Sequence, residues 1–180
     1  MLGLRDLLQR EVIITGSGRD GFFDFPNEYC SPGFWAAYTA RARLRSLRLA
    51  ELGIPSGQLL EYARAIGLER ALGEQDTYRY ARKRAGENYS PLVLLESPED
   101  TERTTGEING CIRGLFSEPE YTEFVSTICE LVGDLLDNVW SHGKSTGFSM
   151  AQRRKHNNSG DFCFEFAVAD CGLGFLRELK

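Results

Sequence analysis

From Glu120 to Trp140 the chain repeats apolar residues at helical spacing, and Gly143 stops the run. Phe124, Ile128, Leu131, Leu135 and Val139 fall three or four positions apart and read as the core stripe of one long helix. Two short strand-like segments follow, over 146–152 and 162–168. In the second, Phe162, Phe164, Phe166 and Val168 occupy alternate positions, and Asn157-Asn158-Ser159-Gly160-Asp161 between the two is a hairpin signal. A helix with one apolar stripe and a hairpin with one apolar face bury themselves against each other. The pattern therefore predicts an α+β fold, with the long helix on a mainly antiparallel sheet.

Upstream, a β-branched run over 11–15 and a second strand-like run over 21–25 precede Pro26. Ser31-Pro32 has the form of a helix start, a hydroxyl cap followed by proline at the first helical position. That helix is expected to run to about Leu52, with Gly53 as its stop. Ser56 is expected to cap a second helix carrying Leu59, Leu60, Tyr62, Ala63 and Ile66. A short third helix is expected over 77–84, and a strand over 92–95. Ser97-Pro98 then opens another helix whose buried side is Ile108, Ile112 and Leu115.

Composition narrows the function classes. The 180 residues carry a net charge of −5, with 42% apolar and 26% charged side chains, the mix of an ordinary globule. Net acidity argues against nucleic-acid or anionic-lipid binding. The basic groups Arg41, Arg43, Arg45, Arg48 and Arg79, Arg82, Lys83, Arg84 read as solvated helix faces. Five scattered cysteines without CxxC spacing support neither a zinc site nor a disulfide framework, and fit buried thiols in a reducing compartment. No signal-peptide pattern or membrane-length apolar run stands out, so a cytoplasmic protein is expected.

The chemistry concentrates in two places. Asp134, Asn138 and His142 recur every four residues along one helix face. Asp170-Cys171-Gly172-Leu173-Gly174 closes the alternating run, so an acid sits beside glycines that permit close approach at a strand end. An amide oxygen is a hard ligand suited to Mg²⁺, which takes few protein ligands plus water and phosphate oxygens. Taken alone, each motif also has a plain reading, the first as solvent-facing helix residues and the second as a turn.

In order and spacing the two motifs resemble the N box and first glycine box of the GHKL (Bergerat-fold) ATP-binding family of gyrase, Hsp90, histidine kinases and MutL. The resemblance implies ATP and Mg²⁺ as cofactors. It makes Asn138 the magnesium ligand, Asp134 the residue that positions the attacking group, and His142 a phosphate contact. Asp170 would accept the exocyclic amine of adenine, with Gly172 and Gly174 allowing approach. Glutamate is common in hydrolytic members where this chain has Asp134, which weakens the case for direct base catalysis. The likeness covers 120–180, and the family's lid and second glycine box would lie after Gly174. A fragment or a shortened relative with impaired nucleotide binding is therefore expected.

The region before it resembles the STAS-type domain of anti-sigma-factor antagonists. That likeness implies a phosphoacceptor at Ser31 and a regulatory protein partner, and it allows a homodimer. The expected division is 1–115 as a STAS-like α/β regulatory region and 116–180 as the first half of the ATP-binding domain. The function implied is an ATP-binding regulator related to serine kinases of partner-switching systems. The alternative is a non-catalytic STAS-like interaction module with a vestigial nucleotide site.

Two further motifs are decoys. His142-Gly143-Lys144-Ser145 lacks the glycine a phosphate loop needs at position 138, which is Asn138, and it follows a helix. Gly16, Gly18 and Gly21 match a dinucleotide fingerprint, but the extended Phe22-Phe23-Asp24-Phe25-Pro26 follows where a helix should open.

Overall fold

A computed structural model describes residues 30–82, 84–141, 145–155 and 162–172. The expected strands over 11–15 and 21–25, the hairpin residues 157–161, His142 and Gly174 lie outside the described residues. Within them the order is α1 (Pro32–Leu44), a 3₁₀ turn (Leu49–Glu51), α2 (Gln58–Ala65), α3 (Leu68–Ala71), β1 (Tyr89–Leu95), α4 (Pro98–Leu115), a 3₁₀ turn (Pro119–Tyr121), α5 (Thr122–Ser141), β2 (Gly147–Lys155) and β3 (Phe162–Asp170).

Both Ser-Pro signals start helices. Ser31 is extended and its Oγ accepts from the Phe34 N–H at 3.2 Å, while Ser97 Oγ accepts from the Asp100 N–H at 3.2 Å. Each satisfies a donor that the first helical turn leaves open. The first helix is shorter than expected. It ends at Leu44 because Ser46 turns into the left-handed region (φ 56°), and only a 3₁₀ turn follows. Gly57, at φ 106°, stands at the cap of α2 in place of Ser56.

The helix expected over 77–84 is absent from the described residues there, and the polar side chains around the segment explain why. Glu69, only 4% exposed, accepts from the Thr77 N–H at 2.7 Å, from the Thr77 hydroxyl and from Arg64 Nε at 3.1 Å. Arg82 pairs with Asp76 at 2.8 and 3.1 Å and donates to the carbonyls of Arg64 and Ala65. These bonds tie the segment across α2 and α3 instead of letting it coil on itself.

The three strands form an antiparallel sheet in the order β1-β2-β3, with β2 central. Helices cover both faces. One core joins α1 (Phe34, Trp35 and Tyr38 among others) to Leu92, Phe148 and Met150, with Ala167 and Ala169 at its margin. The other joins α4 and α5 to Leu95 and Ala151, with Val93, Phe164, Phe166 and Val168 at its margin. The sheet thus takes β1 from before residue 116 and β2 and β3 from after it, so the 115/116 division crosses a shared sheet. The α+β class expected from the sequence is the class observed.

One expectation about α5 is overturned. Its buried stripe is Val125, Cys129, Val132, Leu136 and Val139, whereas Phe124, Leu131 and Leu135 are 49%, 49% and 41% exposed. Both sets have helical spacing, and they share Val139. The set carrying the smaller side chains faces the sheet and α4, where close approach is rewarded. Trp140 sets that rotation from the α4 side by donating from Nε1 to Thr101 Oγ1 at 3.0 Å.

Two outcomes follow from this packing. Leu136→Ala should cost about 2–5 kcal/mol of unfolding free energy, and Leu131→Ala no more than about 0.5–1 kcal/mol, as read by urea denaturation. The bonds from Arg82 hold the Asp76 carboxyl below its ordinary range. A depressed carboxyl contributes stability above its unfolded value of about 3.9 and loses that contribution as pH falls. Asp76→Asn should therefore flatten the loss of stability on the acid side of about pH 4 in thermal melts at stepped pH.

Candidate functional site

The C-terminal end of α5 sits close on the start of β2, which pairs with the end of β3. A Cβ placed on Gly147 would lie 2.9 and 3.0 Å from the two methyls of Val139 and 3.1 Å from the Ala169 carbonyl oxygen. Only glycine allows the helix to sit this low on β2. Gly147 is the ladder partner of Asp170. Phe164, Phe166 and Val168 pack into the core on the α5 side of the sheet, so strand alternation places Asp170 on that side too.

Asn138, the neighbour of Val139, and Asp134, one turn earlier, are both exposed on α5. Among the described residues, neither side chain has a hydrogen-bond or ion-pair partner. Asp170 is exposed, and its Oδ1 accepts from the Gly172 N–H at 2.9 Å. This turn orients the carboxylate and leaves Oδ2 open to a donor from outside. The next residue ties the strand end to the opposite helix layer. Cys171 donates its backbone N–H to the Thr146 carbonyl at 2.8 Å and its thiol to the Ala40 carbonyl at 3.8 Å. Burial pushes that thiol's pKa up, as it does for Cys111, raised to about 11; both are packing thiols rather than nucleophiles. None of the five cysteines forms a disulfide.

Ser31 belongs elsewhere. It caps α1, and a Cβ on the neighbouring Gly33 would lie 3.8 Å from Ala167 Cβ, on the sheet face opposite α5. His142 and Gly174 lie outside the described residues. Of the other predicted site residues, Asp134 and Asn138 stand on the exposed side of α5, with Asp134 turned away from the buried stripe, and Asp170 and Gly172 stand at and just after the end of β3. No cluster of three or more His, Cys, Asp or Glu side chains able to hold a metal ion occurs among the described residues. No described helix is long and apolar enough to cross a membrane.

Taken singly, an amide oxygen and an open carboxylate are donors of the kind a hard cation takes when it keeps most of its water and phosphate ligands. Cationic groups for phosphate are a different matter, since α5 contains no lysine or arginine. The residues that position the corner, Val139, Gly147, Thr101 and Trp140, escape a motif search. In sequence they are an ordinary valine, a glycine after a loop, and a Thr/Trp pair 39 positions apart.

Gly147→Ala should destabilise the fold by about 1–3 kcal/mol through overpacking, and adding Val139→Ala should recover part of that loss. Chemical denaturation of the two single variants and the double variant measures the coupling.

Compared with known proteins, the chain matches no family model, no curated protein and no solved structure.

Proposed function

We propose that the α5–β3 corner binds an adenine nucleotide with Mg²⁺, as the opening half of a GHKL-type ATP-binding fold, and that the chain is a nucleotide-responsive regulator in a partner-switching or similar signalling system. The observation that carries this reading is the seat of Val139 on Gly147. It brings the residue after Asn138 onto the strand position that pairs with Asp170, which supports the reading.

In this reading the Asn138 amide oxygen holds the cation, which when bound offsets charge on the phosphates. Asp134 lies one turn back and orients a water or hydroxyl toward them. Asp170 accepts the adenine amine through Oδ2 while Oδ1 stays on the Gly172 N–H. All three side chains are exposed, so their interactions work in a high dielectric and are individually weak. Ser31 serves as a phosphoacceptor at a helix N-terminus, where an added phosphate meets open N–H groups and the positive end of the helix dipole.

A second reading, a non-catalytic STAS-like interaction module with a vestigial nucleotide site, draws on the absence of any lysine or arginine in α5 to meet phosphate.

Calorimetry separates the two. The nucleotide reading expects Mg²⁺-dependent binding of ATP and ADP with Kd of about 0.1–1 mM, and no comparable binding of GTP. Asp170→Asn should weaken ATP and ADP alike, and Asn138→Ala should remove mainly the Mg²⁺-dependent part. Loss of neither, or equal binding of GTP, would leave the module reading.

A further inference from the structure

The exposed stripe on α5 is longer than a stray apolar residue or two. Phe124, Leu131 and Leu135 are exposed large apolar side chains, and half-buried Ile128 completes a 4-3-4 spacing. That is the spacing of a helix seam meeting another helix. Exposed Tyr121, in the 3₁₀ turn just before α5, extends the line, and Tyr121 and Phe124 pack edge-on against Phe116. The β3 face on the same side of the sheet adds Phe164 and Phe166, each only half-buried. Phe162 beyond them is exposed but has the Arg153 guanidinium over its ring at 3.9 Å, so the apolar part of the patch ends there. Soluble surfaces rarely carry a contiguous apolar patch of this kind unless something docks on it.

The charge around the stripe selects the occupant. Helical geometry at about 100° per residue puts Glu123, Glu130 and Asp134 along one border. All three are exposed, and no lysine or arginine interrupts α5. In an isologous antiparallel pair, a second copy of the helix would bring this acidic border against its own equivalent, which repels. A helix with an apolar stripe and a basic border meets both features at once.

We propose that this face is the docking surface for a basic amphipathic helix of a partner protein. Its leucine-like side chains lie along Phe124, Leu131 and Leu135, and its lysines or arginines lie against the acidic border. The inference rests on the packing of α5 and not on nucleotide binding, so the two stand or fall separately.

The test uses the full chain and two synthetic helical peptides of about 18 residues, both with leucines at seam spacing. One has lysines at the flanking positions and the other glutamates. Fluorescence anisotropy should show the lysine peptide binding with Kd on the order of 10 µM, and the glutamate peptide at least about tenfold weaker. Added salt should erode that preference. The Leu131→Ser/Leu135→Ser variant, folded by circular dichroism because both positions are exposed, should lose about tenfold or more in affinity for the lysine peptide. If that double substitution fails to fold, Leu131→Ser alone carries the same comparison. Absence of lysine-peptide binding, equal binding of both peptides, or full retention by the variant would overturn the proposal. So would sedimentation showing a dimer of the chain that Leu131→Ser dissolves, since a second copy would then occupy the face.

Discussion

Val139 seats both methyls over Gly147 at a distance no other residue on β2 would permit, and the arrangement of the C-terminal region depends on that contact. It sets the height of α5 above the sheet, at the strand position that pairs with Asp170. Trp140, bonded to Thr101, stops the helix from rolling about this point. Two side chains next to each other in sequence therefore hold α5 from two directions, one on the sheet and one on α4.

The rest of the molecule supports β2 from beneath. Phe148 and Met150 point into the α1 core, and Ala151 points into the α4–α5 core, so the central strand is buried on both faces. That double burial accounts for the run of five buried residues that opens β2, where a strand with one wet face would alternate. On the α1 side, polar side chains do the tethering. Glu69 gathers Arg64 and Thr77, and Arg43 donates to the Leu72 carbonyl at 2.8 Å. Of the arginines expected on solvated faces, Arg43 and Arg82 thus hold backbone carbonyls, whereas Arg45, Arg48 and Arg79 are exposed. The long cationic side chains close loops that the apolar residues alone would leave free.

The two apolar stripes of α5 connect packing to function. A helix that buried its larger stripe would stand farther from the sheet, with less close contact at Gly147. By burying the smaller set, the protein gains a low, rigid helix and leaves Phe124, Leu131 and Leu135 outside. Its polar and apolar outer surfaces then sit on one helix. Asp134 and Asn138 serve the proposed nucleotide corner, and the stripe beside them serves the proposed helix partner.

Local chemistry in the sequence determined the helix starts at Ser31-Pro32 and Ser97-Pro98, the long amphipathic segment before Gly143, and the two strands around the hairpin signal. Each of these depends on neighbours within a turn or two. The order of Asp134, Asn138 and Asp170 was legible for the same reason, as residue types at set spacing. Tertiary structure alone decided which of two equally periodic stripes on α5 is buried, because spacing does not distinguish them and only the glycine seat on β2 does. It also decided that 75–82 is held by Glu69, Asp76 and Arg82 instead of forming a helix. And it paired β1 with β2 across the 51 residues between Leu95 and Gly147, which give no local sign of the pairing, because a ladder between distant strands is chosen by the core that both must cover.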